Sequence, residues 1–233
     1  MHLSSIRVIR AICGCLYLSH CVSAQPIQAG NLRISPASHD LSIEYETGGR
    51  SGYTPRPEVP PGFSGVTIGV GYDCGYNTPA QIAEDWGGVL PASQVARLQG
   101  VAGKTGATAR AVLIRVSDIR IPWESALKVY ETRTVPRFAR DTERAYPGLL
   151  KLDPSIQGIM LSTTFNRGSA MSPYERRKEL VWSHDDILQD RVSRLATYQL
   201  QMRRLWPTIP GLQRRYAAHA GLIQQAVNAT AEN

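Results

Sequence analysis

The sequence has 233 residues, of which 42% are hydrophobic and 19% are charged, and a formal net charge of +7 at pH 7. Its length is that of one domain, or at most two small ones. A cationic protein favours an anionic polymer as partner, such as cell wall, teichoic acid, lipopolysaccharide or extracellular nucleic acid. However, no run of basic and aromatic residues indicates a nucleic-acid-binding module, so we expect no nucleic acid.

Residues 1–24 have the pattern of a secretory signal peptide. Arg7 and Arg10 precede a short apolar stretch, and a small-residue cleavage site ends at Ala24. The apolar run is too short to span a bilayer comfortably. We therefore predict export to the periplasm or outside the cell, with no stable membrane insertion after cleavage; an anchor that stays uncleaved is the alternative.

The predicted mature chain has few residues suited to metal or cofactor chemistry. Three of the four cysteines belong to the signal, so Cys74 remains alone and no intramolecular disulfide can form. The histidines are scattered without paired spacing, which argues against a metal site. Neither "GFSGV" nor "LQGVAGKT" completes a nucleophile elbow or a phosphate loop. We expect no cofactor and no metal.

The first elements of the mature chain are short. Residues 25–37 are polar and predict an extended N-terminal arm. "SHDLSIEYETGG" predicts a short helix with Ser38 or Asp40 as its cap, ended by Gly48 and the glycine after it. Four prolines between positions 55 and 61 predict an irregular surface loop.

A glycine-rich strand follows this loop. In "GVTIGVGYD" the apolar residues Val66, Ile68 and Val70 alternate with Thr67 and glycines, as they do in a β-hairpin. These glycines serve either the turns of the hairpin or the close approach of another group, such as a substrate chain, to the backbone.

The remainder of the chain is helical in its periodicity. Thr78, Pro79 and Gln81 form a capping-box pattern, and Pro136 should kink or divide a later helix. Asp153 should cap a buried helix that ends at Gly168. Two amphipathic helices should follow, over 174–205, interrupted once, and over 210–227. The fold class predicted is α+β, with a small β-hairpin lobe beside a larger all-helical lobe within one domain, residues 38–228. The helix that begins at Thr78 should join the two lobes.

Two acidic residues are placed where the walls of a cleft should meet. Glu46 lies at the end of the short helix, and Asp73 follows the glycine-rich strand. An enzyme that uses only carboxyl groups needs one of them protonated and another ionised. On the residues alone, two ordinary surface acids remain the alternative.

Three segments in order, "YETGGRSGY", "SGVTIGVGYD" and "LSTTFNRGSAM", resemble the phage-type lysozymes (glycoside hydrolase family 24) and the lysozyme-like toxin pesticin. The resemblance covers about residues 40 to 222. It implies that Glu46 is the proton donor and Thr67 the second active-site residue. In the pesticin-like arrangement, it implies that Asp73 is the second carboxylate.

The sequence departs from the coliphage-type pattern in one respect. That pattern has an Asp between the Glu and the Thr, whereas the only acid in this interval is Glu58. Glu58 is therefore an alternative to Asp73. Glu44 is an alternative proton donor, although two residues' spacing on a helix should turn it away from Glu46.

The resemblance implies a peptidoglycan hydrolase that cleaves the β-1,4 bond between N-acetylmuramic acid and N-acetylglucosamine, with inversion. Asn166, Arg177 and Tyr72 are the candidate substrate-binding residues. Asn166 alternatively caps the helix carbonyls, and for Tyr72 packing in the lobe interface is the favoured interpretation. The arginine pairs at 176–177, 203–204 and 214–215 are also typical of solvated helix faces. The alternatives to the hydrolase are a lytic transglycosylase and an inactive wall-binding module. A monomer is expected.

Overall fold

A computed structural model describes residues 25–172 and 174–232, so the predicted signal peptide lies outside the described residues. The described chain is mostly helical, with two small antiparallel hairpins, which agrees with an α+β layout. The hairpins pair β1 (Ile27–Ala29) with β2 (Leu32–Ile34), and β3 (Thr67–Ile68) with β4 (Tyr72–Asp73). The helices are α1 (Pro36–Thr47), α2 (Gly49–Gly52), α3 (Pro79–Trp86), α4 (Ala92–Gln99), α5 (Gly106–Val112), α6 (Trp123–Val129), α7 (Val135–Ala145), α8 (Pro154–Arg167), α9 (Lys178–Leu188), α10 (Leu195–Met202) and α11 (Pro210–Ala231).

The N-terminal segment is a packed hairpin, so the prediction of an extended arm over 25–37 is wrong. Leu32 and Ile34 of β2 are buried, and the strand contacts α8. The backbone N–H of Arg33 donates a 2.9 Å hydrogen bond to Gln157 Oε1 on that helix. The strands are only three residues long, so their alternation of apolar and polar residues is too brief to stand out in a polar segment.

Helix α1 is confirmed, and it begins slightly earlier than predicted. Ser35 is the cap, rather than Ser38 or Asp40, because its side chain accepts a 3.1 Å hydrogen bond from the Ser38 N–H. The helix ends as predicted at Gly48, which has the left-handed φ of 73°. This end places the last turn of α1 next to the second hairpin.

The second hairpin is widened by a segment of the proline-rich loop. Thr67 lies opposite Asp73, and Ile68 opposite Tyr72. On its other side, Thr67 exchanges two backbone hydrogen bonds with Glu58, of 3.0 and 2.7 Å. The predicted hairpin is confirmed, and Thr67 lies in the middle of three neighbouring segments.

The two faces of this hairpin have different surroundings. One face is buried in the core through Val66, Ile68, Tyr72 and Cys74. Thr67 and Asp73 lie on the other face and are partly exposed. The alternation of Val66 and Ile68 with Thr67 in the sequence therefore corresponds to the buried and open faces of the hairpin.

Helix α3 begins with the predicted capping box. Gln81 N–H donates to Thr78 Oγ1 at 3.2 Å, and Thr78 N–H donates to Gln81 Oε1 at 2.9 Å. Near its end, Asp85 accepts a 2.8 Å hydrogen bond from the Tyr72 hydroxyl and forms an ion pair with Arg137 of α7. Helix α3 therefore contacts both the hairpin and the helical part of the chain.

Two further helix predictions are confirmed. Pro136 lies in the first turn of α7, and a π-helical stretch, Tyr130–Thr134, separates that helix from α6. Asp153 caps α8 by accepting a 2.7 Å hydrogen bond from the Ser155 N–H, and the helix ends at Gly168. Most of α8 is buried, as the apolar run predicts.

The C-terminal helices complete the core. The region predicted over 174–205 is interrupted between α9 and α10, where Asp190 has a φ of 57°. Buried side chains from both hairpins and from the helices form one continuous cluster. Within 25–172 and 174–232, no helix combines the length and the apolar character needed to cross a membrane.

Candidate active site

The two carboxylate oxygens of Glu46, in the last turn of α1, have different surroundings. The side chain is 16% exposed, and Oε1 is 2.6 Å from Nη1 of Arg215 on α11. Oε2 points to the tip of the second hairpin, because a Cβ built on Gly71 would lie 2.8 Å from it. One oxygen is therefore held in an ion pair, and the other faces the glycine-rich turn.

Arg215 is the buried partner of Glu46, with a side chain only 3% exposed. Burial opposes the positive charge of Arg215, but the Glu46 carboxylate, together with Tyr216 and Tyr130, outweighs burial and raises the pKa of the guanidinium. The guanidinium therefore stays charged, and it fixes the orientation of the Glu46 carboxylate.

A chain of buried polar side chains continues from Arg215. Arg215 Nη2 donates to Ser162 Oγ at 3.0 Å, and Ser162 Oγ lies 3.3 Å from His219 Nε2. His219 Nδ1 lies 3.2 Å from Gln199 Oε1. The amide nitrogen of Gln199 donates to Thr163 Oγ1 at 3.2 Å.

The donors of this chain all point in one direction. Because Gln199 Oε1 only accepts, the hydrogen on His219 must be on Nδ1, and Nε2 then accepts from the Ser162 hydroxyl. This arrangement needs a neutral imidazole. Burial, and next the charge of Arg215, lower the pKa of His219 well below 6.5, which keeps the ring neutral.

Thr67 lies between two carboxylates on the exposed face of the second hairpin. Residues directly opposite each other in antiparallel pairs project to the same face. The register therefore places Glu58 on one side of Thr67 and Asp73 on the other. Glu58 is exposed and Asp73 is half-buried. The structure brings both candidate second carboxylates to the same threonine.

Asp73 is held by the backbone around it. Its Oδ1 accepts from the N–H groups of Gly75, at 2.7 Å, and Gly65, at 3.0 Å, and Oδ2 accepts from the Gly65 N–H at 2.9 Å. Burial raises the pKa of Asp73. The backbone hydrogen bonds from Gly65 and Gly75 lower this pKa, but by less than burial raises it. The carboxyl group is thus rigidly placed.

The glycines of this hairpin make room for the protein's own carboxylates. A side chain on Gly71 would meet the Glu46 carboxylate, and one on Gly65 would meet that of Asp73. The interpretation of the glycines as room for a substrate chain is thus incomplete. Gly71 and Asp73 are two residues apart, so their Cα atoms are separated by at most about 7 Å. The hairpin therefore brings Glu46 and Asp73 into one region.

Glu44 has different surroundings from Glu46. It is exposed, and its Oε2 lies 2.7 Å from the Cβ position of Gly49, just beyond the end of α1. The structure places Glu46, and not Glu44, in contact with Gly71 of the hairpin. The choice of Glu46 is consistent with this placement.

Tyr72 lies in the core rather than at an open surface. Its side chain is buried, the hydroxyl donates to Asp85, and the ring meets the edge of Trp86 at a centroid distance of 5.5 Å. This position corresponds to the packing interpretation for Tyr72. We therefore leave Tyr72 out of the proposed substrate site.

Asn166 and Arg177 both line a cleft of about 660 Å³ at the end of α8. The Tyr216 hydroxyl donates a 2.7 Å hydrogen bond to Asn166 Oδ1, so this oxygen is occupied by a side chain of α11. The preceding residue, Phe165, lies 2.9 Å from the Cβ position of Gly71. Consecutive residues of α8 therefore contact the hairpin tip and line the cleft, while Glu46, Thr67 and Asp73 are not among the residues that line it.

The most important residue that sequence reasoning missed is Arg215. The pair Arg214–Arg215 suggested a solvated face, but Arg214 is exposed whereas Arg215 is buried. The helical spacing of its neighbours is the signal that could have shown Arg215 to be buried. The buried face of α11 repeats every three or four positions and includes Arg215, Tyr216, His219, Ala220 and Ile223.

No group of three or more His, Cys, Asp or Glu side chains in the described part of the chain is placed to hold a metal ion. Cys74 is a buried free thiol, and burial raises its pKa to about 12, so it is not a nucleophile. No protein-family model and no curated protein matches this chain.

Proposed function

We propose that the chain is a lysozyme-like peptidoglycan hydrolase. It cleaves the β-1,4 bond between N-acetylmuramic acid and N-acetylglucosamine, and it works as an exported monomer with a small hairpin lobe beside a helical lobe. One observation carries the proposal: a largely buried carboxylate, Glu46, is fixed by Arg215 and faces the hairpin that bears Thr67 and Asp73.

Glu46 is the general acid in this proposal. Glu46 must therefore take up a proton from solvent before each turnover. Because Arg215 holds Oε1, Oε2 is the oxygen that carries this proton and gives it to the departing sugar oxygen. The rigid ion pair keeps this oxygen at the hairpin tip, where a bound glycan would lie.

Thr67 and Asp73 position and activate the water on the other side of the bond. The Thr67 hydroxyl binds the water, and the carboxylate of Asp73 takes its proton. Two carboxyl groups about 6.5–9.5 Å apart leave room for such a water and give inversion at the sugar carbon. Glu58, opposite Thr67 on the exposed side, is the alternative base. Asn166 and Arg177 hold the substrate in the cleft at the end of α8.

The test compares two glutamates on the same helix. Glu46→Gln removes the proton donor and should lower the rate of wall clearing about 10²–10⁴-fold, whereas Glu44→Gln should change it little. Because Glu46 also balances the buried charge of Arg215, folding of each variant must be checked by circular dichroism. A folded Glu46→Gln protein with full activity, or a wild-type protein that does not cleave purified wall, contradicts the proposal.

A lytic transglycosylase is the second candidate, and one observation favours it. Both oxygens of Asp73 already accept backbone hydrogen bonds, which is what a structural carboxylate does. A transglycosylase needs no base for water, since the sugar's own hydroxyl attacks. Asp73→Asn should slow the hydrolase about 10²–10⁴-fold and leave a transglycosylase almost unaffected.

A further inference from the structure

Two aromatic side chains beside the second hairpin are mostly exposed to solvent. Phe63 is 83% exposed, and Tyr76 is 71% exposed. Aromatic side chains contribute much of the free energy of binding when a ligand covers them, and two neighbouring exposed aromatic residues are more informative than a single one. We call Phe63 and Tyr76 the aromatic pair.

The aromatic pair flanks the two glycines that hold the proposed base. Phe63 lies two residues before Gly65 in the chain, and Tyr76 directly follows Gly75. The N–H groups of Gly65 and Gly75 both donate to the Asp73 carboxylate. Residues two positions apart have Cα atoms no more than about 7 Å apart, so both aromatic residues lie close to the groups that fix Asp73.

The backbone that carries the aromatic pair is fixed at two points. The Tyr76 hydroxyl donates a 3.3 Å hydrogen bond to the Phe63 carbonyl, which joins the two residues directly. The carbonyl of Ser64, next to Phe63, accepts a 2.9 Å hydrogen bond from the Gly106 N–H at the start of α5. The two rings therefore project from a fixed backbone, which lowers the entropy that is lost when a ligand binds.

The chemistry around the aromatic pair fits a sugar chain. One face of a pyranose ring consists of C–H groups that pack against an aromatic ring, while the hydroxyl groups at its edge stay hydrated. The same hairpin carries the carboxylates of Asp73 and Glu58 on its open face. These carboxylates can accept hydrogen bonds from sugar hydroxyls, whereas they repel an anionic lipid surface.

Resting on the proposed function, we propose that the aromatic pair stacks on sugar rings of the glycan beside the cleaved bond. The pair contributes affinity for the glycan and takes no part in the chemical step, because the proton donor and the base are carboxyl groups. Loss of the rings therefore weakens substrate binding, which raises KM, and leaves kcat unchanged.

The kinetic test uses glycan strands from which the peptides have been removed, so that only the sugars are recognised. The double variant Phe63→Ser/Tyr76→Ser should raise KM about tenfold with kcat unchanged. The control Leu188→Ser replaces an apolar side chain that is 60% exposed at the end of α9, and it should keep the wild-type KM. Phe63→Trp retains an aromatic face and should also keep it. An unchanged KM in the double variant overturns the proposal, and so does a loss confined to kcat.

A binding test is independent of catalysis. In calorimetry, the Kd for chitohexaose, a peptide-free chain of N-acetylglucosamine, should be about tenfold higher for the double variant than for the wild type and Leu188→Ser. Equal Kd values in the three proteins overturn the proposal. Binding to phosphatidylglycerol vesicles that requires the aromatic pair, with chitohexaose binding unchanged, assigns the rings to a membrane and overturns it as well. If the wild type cleaves no glycan but binds chitohexaose through the aromatic pair, the hydrolase assignment fails while the sugar-binding site stands.

Discussion

The ion pair between Glu46 and Arg215 allows a quantitative prediction. Arg215→Met keeps most of the side-chain volume but leaves the Glu46 carboxylate, 16% exposed, without its partner. Breaking a buried pair by removing one member costs about 3–5 kcal/mol. For a chain of this size, the midpoint of thermal unfolding should fall by about 6–20 °C. Arg214→Met, on the exposed side of the same turn, should change stability by no more than about 0.5 kcal/mol.

Urea unfolding of a double-mutant cycle tests the cause of this loss. If an unpaired charge is responsible, adding Glu46→Gln to Arg215→Met should recover about 0.5–3 kcal/mol, since no ion remains buried alone. A loss below about 1 kcal/mol for Arg215→Met refutes the reasoning. Strict additivity of the two substitutions refutes it as well.

Three further predictions concern single positions. In Gly71→Ala the new Cβ meets the Glu46 carboxylate, so kcat should fall about a hundredfold. The control Gly103→Ala has a similar φ and no neighbour within 4 Å, so it should keep the wild-type kcat. Equal losses of kcat in the two variants contradict the prediction. The folded-state pKa of His219 lies below 6.5, so the unfolded chain binds more protons and wild-type stability should fall as pH drops below 6.5, by up to about 1.4 kcal/mol per unit. In urea unfolding of His219→Gln, this loss of stability below pH 6.5 should be absent. A loss of stability with falling pH that is identical in the variant and the wild type contradicts the prediction. The folded-state pKa of Asp73 is raised above 3.8, so the folded chain binds more protons and this group's stabilising contribution should fall as pH rises through the window just above 3.8. In Asp73→Asn that fall should be absent, and a pH-independent stability difference from the wild type argues against the shift.

Local signals in the sequence predicted the elements that carry the candidate site. The glycine pair after Thr47 ends α1 where expected, and the alternation around Thr67 places it and Asp73 on the open face of the hairpin. These features depend on residues close in sequence, so a short window of residues is enough to predict them.

Features that depend on distant residues could not be predicted in this way. The pairing of Glu46 with Arg215 joins residues 169 positions apart. The packing of β2 on α8 similarly depends on Gln157, 124 positions from Arg33. From composition alone, an arginine is expected to be solvated and a polar segment to be extended. Tertiary packing overturns both expectations here.

The most direct test of the hydrolase assignment is mass spectrometry of wall digested in water enriched in heavy oxygen. If Thr67 and Asp73 deliver a water to the sugar carbon, each new N-acetylmuramic acid end should be reducing and carry the heavy oxygen. Ends that are mainly 1,6-anhydro rings without the heavy oxygen contradict the account, because the sugar's own hydroxyl would then be the nucleophile.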